Sequence, residues 1–287
     1  MAYQITYERD PVSFWATNKA LLLSEESVYN LPIGLVLGII SAERTWEELS
    51  FFTVRHEQVI VGQAMHTGGD KPLLVTRMSP DAIKALVCDA IGRGLQPHKI
   101  TGPIETAKFC AELFGEHMKS EVSVFMHQGI YELTEVTWPK SDGGTLVCGT
   151  VEERELALRY TESFVRECFP EESEPTVRAT AMVDRLLPKG HIFFWQTPQG
   201  ECVSMAARNR ETPNTATLSL VYTPHEKRGH GYARLVVSHL SQLWLDRGKN
   251  ACNLYTDLSN PASNKAYTSV GYEQVIQSCV YQLSKNS

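Results

Sequence analysis

The chain has 287 residues, of which 43% are hydrophobic and 21% are charged, and its net charge at pH 7 is −6. This composition is typical of a soluble globular protein, and the length favours two domains over one. A negative net charge gives no attraction to nucleic acid or to an anionic membrane surface, so we expect neither as a partner.

The seven cysteines are scattered along the chain and include no C-x-x-C pair. An odd, dispersed set argues against a disulfide framework and against a zinc site, so we expect no metal and a reducing, cytoplasmic environment. The N-terminal sequence is polar, and the apolar run 31–42 is too short to cross a bilayer. We therefore expect no signal peptide and no membrane span.

The first half of the chain is predicted to alternate strands and helices, from the period of its apolar residues and from its turn residues. The predicted elements are two strands within 49–68, a strand over 71–78, a helix over 79–94, a strand and a helix within 98–115, and a strand over 123–136.

The second half repeats this order, with strands over 191–197, 202–211 and 215–223, a helix from residue 232 to Gly248, a strand over 252–258, a helix over 261–270 and a strand over 277–283. Proline, glycine and serine are concentrated at 139–144, which predicts a linker there. We therefore predict a duplicated unit, with domains at residues 1–138 and 145–287. Thr150 and Glu153 are predicted to form a capping box for the first helix of the second domain.

A basic, glycine-bearing loop lies between the strand that ends at Thr223 and the next helix. Its residues Arg228, Gly229 and Gly231 precede a helix N-terminus, where converging backbone amides and the helix dipole favour an anion. From this spacing alone, a phosphate site and ordinary turn chemistry are equally open. The loop matches neither the P-loop pattern nor G-x-G-x-x-G.

The first half has no counterpart of this loop. The segment from Pro80 to Gly94 is shorter than the segment from Pro224 to Gly248. Its helix also opens with Asp81, whose carboxylate suits the helix dipole but would repel a phosphate. We therefore predict one anion site in the chain, in the second half.

The residues around the loop resemble the acetyl-CoA-binding core of the GNAT acetyltransferases. The loop pattern of that superfamily, Arg/Gln-x-x-Gly-x-Gly/Ala, is filled here by Arg228, Gly231 and Ala233. A second pattern, Asn-x-x-Ala/Ser-x-x-x-Tyr-x-x-x-Gly-aromatic, is filled by Asn260, Ser263, Tyr267, Gly271 and Tyr272. The resemblance covers residues 201–283 and is closest to two-domain bacterial members with a degenerate N-terminal copy.

The resemblance implies a mixed α/β fold, classed as α+β in some schemes, with two tandem GNAT-like domains. Each would be a mostly antiparallel, centrally splayed sheet flanked by helices. The implied function is an N-acetyltransferase that uses acetyl-CoA as co-substrate and acetylates an amine of a small molecule or peptide by direct attack in a ternary complex. Two alternatives are a non-catalytic acyl-CoA-binding or sensing protein and a transferase of a longer acyl group. The acceptor and the oligomeric state have no signal in the sequence.

The resemblance also implies which residues contact the cofactor. The strand backbone would bind the pantetheine arm, the loop amides would hold the pyrophosphate, and an amide near Val221 or Tyr222 would polarise the thioester carbonyl. The implied contacts are Leu220, Val221, Tyr222, Thr223, Arg228, Gly229, His230, Gly231, Tyr232, Ala233, Asn260, Ser263 and Tyr267.

Among these residues, Tyr267 would act as the general acid that protonates the CoA thiolate, and the alternative is a tyrosine that only packs in the core. Asn260 has an alternative as a turn residue before proline, and Arg228 has one as a solvated loop cation. His225 and His230 are expected to have no catalytic role, although histidine titrates near neutrality.

The general base is not assigned. Glu167, Glu171 and Glu172 lie near the end of the second domain's first helix, where enzymes of this type often form the acceptor wall. A solvated acidic loop is the simpler interpretation of this run, and an ordered water could also take the proton. Met205 is predicted either to line the acceptor side or to pack in the core.

Overall fold

The structure is a computed structural model that describes residues 3–43 and 48–285. Within these ranges the chain forms twelve strands and eight α-helices. It divides into two compact units, of which unit 1 comprises Met1–Ile130, Asp257–Ser259 and Gln274–Ser287, and unit 2 comprises Tyr131–Thr256 and Asn260–Glu273.

Unit 1 contains a sheet with helices packed against it. Its elements in chain order are β1 (Tyr3–Glu8), α1 (Pro11–Ser24), α2 (Asn30–Ile40), β2 (Ser50–His56), β3 (Val59–His66), β4 (Leu73–Val75), α3 (Pro80–Gly92), β5 (Lys99–Pro103), α4 (Ile104–Met118), β6 (Ser120–Leu133) and, at the end of the chain, β12 (Glu273–Lys285). The strand order is β1-β2-β3-β4-β5-β12-β6. The core of this sheet includes Phe52, Leu86, Ile100, Phe114 and Leu283.

The strand and helices before residue 49 have no counterpart in the prediction from sequence. Helix α1 begins at Pro11 because the Asp10 carboxylate accepts hydrogen bonds from the amides of Val12 and Ser13, each at 3.1 Å. An acidic N-cap followed by proline is a sequence signal for a helix start, so this helix was readable from the residues themselves.

Unit 2 repeats the plan of a sheet flanked by helices. Its elements are β7 (Thr145–Cys148), α5 (Arg154–Cys168), α6 (Pro175–Leu186), β8 (Ile192–Gln196), β9 (Cys202–Glu211), β10 (Thr215–Tyr222), α7 (Tyr232–Asp246), β11 (Ala251–Asp257) and α8 (Pro261–Thr268). The strand order is β11-β10-β9-β8-β7. The capping box predicted at Thr150 and Glu153 is confirmed, and it opens the 3-10 turn that leads into α5.

Parallel strand pairs occur in both units, namely β4 with β5 in unit 1 and β10 with β11 in unit 2. Neighbouring pairs such as β2–β3 and β9–β10 are antiparallel. The prediction of a mixed α/β fold, with mostly antiparallel strands flanked by helices, is confirmed.

The last strand of the chain folds with unit 1 and not with the half of the sequence that contains it. Residues Ser278–Gln282 of β12 pair antiparallel with β5, and Cys279, Tyr281 and Leu283 join the core of unit 1. The compact units therefore differ from the predicted segments 1–138 and 145–287. The predicted segments describe a proposed duplication in the sequence and stay a prediction.

Candidate active site

The site in unit 2 begins where two parallel strands separate. The paired register of β10 and β11 runs from Thr215–Ala251 to Leu218–Leu254, whereas β10 itself continues to Tyr222. Beyond Leu218 the β11-facing backbone of β10 is therefore not used in that ladder. Such backbone groups can hydrogen-bond an extended ligand as a further strand would.

A β-bulge lies in the part of β10 that does not pair with β11. In the register with β9, Ser219 pairs with Ala207 and Tyr222 pairs with Met205, so two residues of β10 stand opposite one of β9. Leu220 has a φ of +52°, in the left-handed region that costs a non-glycine residue about 1–2 kcal/mol. Its side chain is only 1% exposed, and this burial holds the strained backbone in place. The next residue, Val221, lines the pocket described below.

The loop after β10 is exposed at residues 228–230. Gly229 and Gly231 have φ values of +85° and +84°, which glycine adopts without steric cost. Within the described chain, no hydrogen-bond acceptor is found for the amides of residues 229–231, and helix α7 has no side-chain N-cap. The carbonyl of Gly231 accepts from the amides of Arg234 and Leu235. The loop and the first turn of α7 therefore form a ready anion site.

Two groups of the protein hold the guanidinium of Arg228. Its Nε donates to the carbonyl of Thr223 at 2.9 Å, and its Nη2 lies 2.8 and 2.7 Å from the two carboxylate oxygens of Glu167, at the end of α5. Both side chains are about half exposed. The structure thus brings together two predicted site residues whose pairing the sequence did not indicate.

Glu167 is the one of the three candidate bases that lines the pocket. Glu172 instead forms an ion pair with Arg178, whose Nη1 lies 2.9 Å from its carboxylate. Met205 is fully buried in the core of unit 2, which corresponds to the second of its two predicted roles. His225 and His230 are exposed, and the ring of His230 stacks on that of Tyr232.

Tyr267 lies on α8 and is 8% exposed. Burial raises the pKa of its phenol above the ordinary value of 10.0, the neighbouring Cys168 adds to this rise, and a hydrogen bond with Ser263 opposes it. The ring meets Tyr272 edge to face, with centroids 6.2 Å apart. The phenol is therefore protonated at neutral pH, in the form that a general acid requires.

Asn260 caps helix α8, which agrees with the turn role predicted as an alternative to cofactor contact. Its Oδ1 accepts a hydrogen bond from the amide of Ser263 at 3.1 Å and caps α8. The residue also lines the pocket, and the cap does not use its amide nitrogen. A role in capping is therefore compatible with the predicted role in cofactor contact.

These features surround one pocket of unit 2 with a volume of about 570 Å³. Eleven of the predicted cofactor residues line it, namely Val221, Tyr222, Thr223, Arg228, Gly229, Gly231, Tyr232, Ala233, Asn260, Ser263 and Tyr267. Leu220 packs in the core, and His230 is exposed and is not among the residues that line the pocket.

Several other residues line the pocket that were not predicted from the sequence, namely Phe164, Cys168, Lys227, Arg234, Ala262, Lys265, Ala266 and Ser269. Ala266 lies on α8 three residues after Ser263, so helical periodicity was the signal that could have found it, whereas Ala262 and Lys265 do not share the spacing of the predicted residues.

The equivalent position in unit 1 is closed. A Cβ on Gly102 of β5 would lie 2.3 Å from the carbonyl oxygen of Val75 at the end of β4, so the two strands are in direct backbone contact there. The following helix α3 is capped by the Ser79 side chain, which accepts from the amide of Ala82. Unit 1 therefore lacks both the strand gap and the open helix N-terminus, so the central splay predicted for each domain is found in unit 2 and not in unit 1.

No helix within residues 3–43 and 48–285 is long and apolar enough to cross a membrane. In the same part of the chain, no group of three or more histidine, cysteine, aspartate or glutamate residues has an arrangement that could hold a metal ion.

A family model described as FR47-like protein matches residues 198–281, which contain both the loop and the Asn260–Tyr272 pattern. No curated protein is similar enough to match the chain.

Solved structures match over nearly the whole chain at low sequence identity. A GNAT-family acetyltransferase from Colwellia psychrerythraea is 13% identical, with 98% of this chain and 100% of that chain covered and a TM-score of 0.57. A GCN5-related N-acetyltransferase from Sphaerobacter thermophilus is 14% identical, with 98% and 95% covered and a TM-score of 0.63. A tandem GNAT protein from the clavulanic acid biosynthesis pathway is 13% identical, with 99% of each chain covered and a TM-score of 0.58.

These matches extend to both units, and the family match lies on the part of the chain that forms most of the pocket. The chain is thus similar in fold to GNAT-family acetyltransferases over nearly its whole length, and residues 198–281 are similar to the FR47-like family.

Proposed function

We propose that the protein is an acetyl-CoA-dependent N-acetyltransferase that acetylates an amine of a small molecule or peptide. The observation that carries this proposal is the convergence, in one pocket of unit 2, of a strand gap, an open glycine loop and a buried tyrosine. Each of these features has a different part of acetyl-CoA as its natural ligand.

The residues present fit the cofactor in size and in polarity. The pantetheine arm is an extended chain with amide groups, and it fits the unpaired backbone of Val221–Thr223 as an added strand. The pyrophosphate fits the amides of residues 229–233 and the N-terminus of α7. A volume of about 570 Å³ is within the usual range for cofactor pockets.

The chemistry follows from this placement. The acceptor nitrogen attacks the thioester carbonyl carbon, and the oxyanion that forms is stabilised by a backbone amide at the bulge near Val221. Collapse of the intermediate breaks the carbon–sulfur bond, and Tyr267 donates its proton to the departing thiolate. The proton that the amine loses passes to Glu167 or to an ordered water. Holding both substrates in one complex supplies much of the rate.

The acceptor is proposed only as a class. The net charge of −6 is compatible with a cationic amine such as a polyamine, an aminoglycoside or lysine. The cytoplasmic location predicted from the cysteines stays a prediction.

The proposal is tested by thermal unfolding with and without millimolar acetyl-CoA. Acetyl-CoA should raise the Tm of the natural protein, and Gly231→Glu should abolish the shift. A side chain at residue 231 is strained at a φ of +84°, and its Cβ would lie 2.8 Å from the Arg234 guanidinium. Gly94→Glu is the matched control, since Gly94 in unit 1 has a φ of +81° with nothing near its Cβ position. Absence of a shift in the natural protein would refute the proposal.

A non-catalytic acyl-CoA-binding protein is the second candidate, and the closed strands of unit 1 favour it because one unit of the chain has no strand gap. Release of free thiol from acetyl-CoA against a wide panel of amines separates the two. Binding without turnover across that panel would identify the second candidate, and turnover of longer acyl-CoA only would identify a different acyl specificity.

A further inference from the structure

Four cationic side chains line the pocket, namely Lys227, Arg228, Arg234 and Lys265. Two of them are neutralised by carboxylates. Lys227 lies 2.6 Å from Glu201, and Arg228 pairs with Glu167. Their charge is therefore already largely compensated before any ligand binds.

Arg234 and Lys265 differ from this pair. Among the described residues, neither has a carboxylate within ion-pair distance or an acceptor for its side-chain donors. Both are exposed, so they retain their charge at little cost in water. The uncompensated positive charge of the pocket is thus confined to these two side chains.

Arg234 belongs to the first turn of α7 and folds back over the loop. Its Nη2 lies 2.8 Å from the position that a Cβ on Gly231 would occupy. The guanidinium is therefore next to the loop amides, beside the groups that we assign to the pyrophosphate. A guanidinium presents paired donors that match the oxygens of a phosphate.

Lys265 lies on the outer side of the same pocket. On α8, the residues Asn260, Ser263 and Tyr267 form an inner stripe, and Tyr267 at its end is buried. Ala262, Lys265 and Ser269 form a second stripe at the same helical spacing, and all three are exposed. The lysine is thus on the solvent-facing rim, away from the buried tyrosine that we place beside the sulfur.

CoA carries two separate phosphate groups, a pyrophosphate and a 3′-phosphate monoester on the ribose. The loop amides and the helix N-terminus account for the pyrophosphate. A phosphate monoester carries about −1.5 to −2 charges at pH 7. Arg234 beside the loop and Lys265 on the rim carry two uncompensated positive charges, which match the charge of one such group.

We infer that Arg234 and Lys265 bind the 3′-phosphate of CoA and make the pocket selective for CoA over its 3′-dephosphorylated form. This inference rests on the proposed function, because it concerns the same cofactor in the same site. It assigns to these residues a role in cofactor specificity and none in the transfer step.

The test compares the Kd values of CoA and 3′-dephospho-CoA, measured by calorimetry, in the natural protein and in Arg234→Gln, Lys265→Gln and the double variant. The natural protein should bind CoA at least about tenfold more tightly, since hydrogen bonds to charged groups contribute this much. Each single variant should lose part of the preference and the double variant nearly all of it, while the Kd for dephospho-CoA stays constant. Arg234→Lys should retain part of the preference.

Arg159→Gln is the matched control, since Arg159 is an exposed arginine of unit 2 that does not line the pocket. It should leave both Kd values unchanged. Equal binding of the two ligands by the natural protein would overturn the inference. So would an equal loss of both ligands in Arg234→Gln, which would place the guanidinium on the pyrophosphate instead. If neither ligand binds the natural protein, the proposed function itself fails.

Discussion

Burial of Tyr267 affects both its protonation and its kinetic role. Because burial raises its pKa above 10.0, the folded protein keeps the phenol protonated from neutral pH to at least pH 10. We predict that Tyr267→Phe lowers kcat by about 10²–10⁴-fold with little change in the Kd of acetyl-CoA, since only the proton donor is removed. The kcat of the natural protein and that of Tyr267→Phe should differ by a constant factor at every pH up to 10. The difference should decrease only above pH 10, where the phenol begins to lose its proton.

Tyr272→Phe is the control for this experiment, because Tyr272 is a buried tyrosine that bonds to Ser241 and does not line the pocket. It should leave kcat unchanged. An unchanged kcat in Tyr267→Phe would instead assign that residue to core packing alone.

The ion pair between Arg228 and Glu167 gives a second prediction at this scale. We expect Glu167→Gln to release the guanidinium for the cofactor and to lower the Kd of acetyl-CoA by about twofold to fivefold, as the loss of an exposed ion pair allows. Calorimetry at two salt concentrations should show a steeper salt dependence in the variant. Glu162→Gln, which breaks the Arg166 pair on the same helix, should change neither quantity.

The same variant separates the two roles of Glu167. If the carboxylate only holds Arg228, kcat is unchanged, whereas a general base would lose about 10²-fold or more in kcat. A higher Kd of acetyl-CoA in Glu167→Gln would contradict our expectation that this carboxylate competes with the cofactor for Arg228.

The sequence predicted which residues line the pocket only where those residues belong to a local pattern. The loop glycines, Asn260 and Tyr267 all lie within two short blocks. The Arg228–Glu167 pair joins residues 61 positions apart, and no local pattern encodes which distant carboxylate meets a given arginine. Lys265 was missed because an exposed lysine on a helix has no distinguishing signal until the pocket is known.

At the scale of elements, the conformation of the glycine loop was predictable from the sequence, whereas the β-bulge was not. The glycines at positions 229 and 231 predict positive φ values, because glycine is the residue that adopts them freely. Leu220 adopts a positive φ inside an otherwise ordinary strand sequence, and its burial, a property of the folded core, compensates the strain. The strand was therefore predictable and its bulge was not.

The closed gap between β4 and β5 predicts how unit 1 responds to substitution. We expect Gly102→Ala to lower the free energy of unfolding by about 1–3 kcal/mol, because the new Cβ would meet the Val75 carbonyl and Val75 side chain. Gly92→Ala at the end of α3 is the matched control, with nothing near its Cβ position, and should be neutral or slightly stabilising. Denaturant unfolding of both variants measures the difference, and equal stabilities would show that the strands separate easily.

At the scale of the whole molecule, the order of elements in each half was predictable, because apolar periodicity and turn residues are local. The position of β12 was not. Its pairing with β5 joins Ser278 to Pro103, which are far apart in the sequence, and no local pattern specifies so distant a partner. The choice depends on which core buries Cys279, Tyr281 and Leu283, and the structure places all three in unit 1.

The asymmetry between the units predicts the stoichiometry of cofactor binding. Unit 2 has a strand gap, an open loop and an uncapped helix, whereas unit 1 has strands in contact at Gly102 and a helix capped by Ser79. Calorimetric titration with acetyl-CoA should therefore give one site per chain. Because that site depends on the loop of unit 2, Gly231→Glu should remove all of the binding heat, and Gly94→Glu should remove none. A stoichiometry of two, or a residual half of the heat in Gly231→Glu, would mean that unit 1 opens to admit the cofactor and that its closed strands are one state of two.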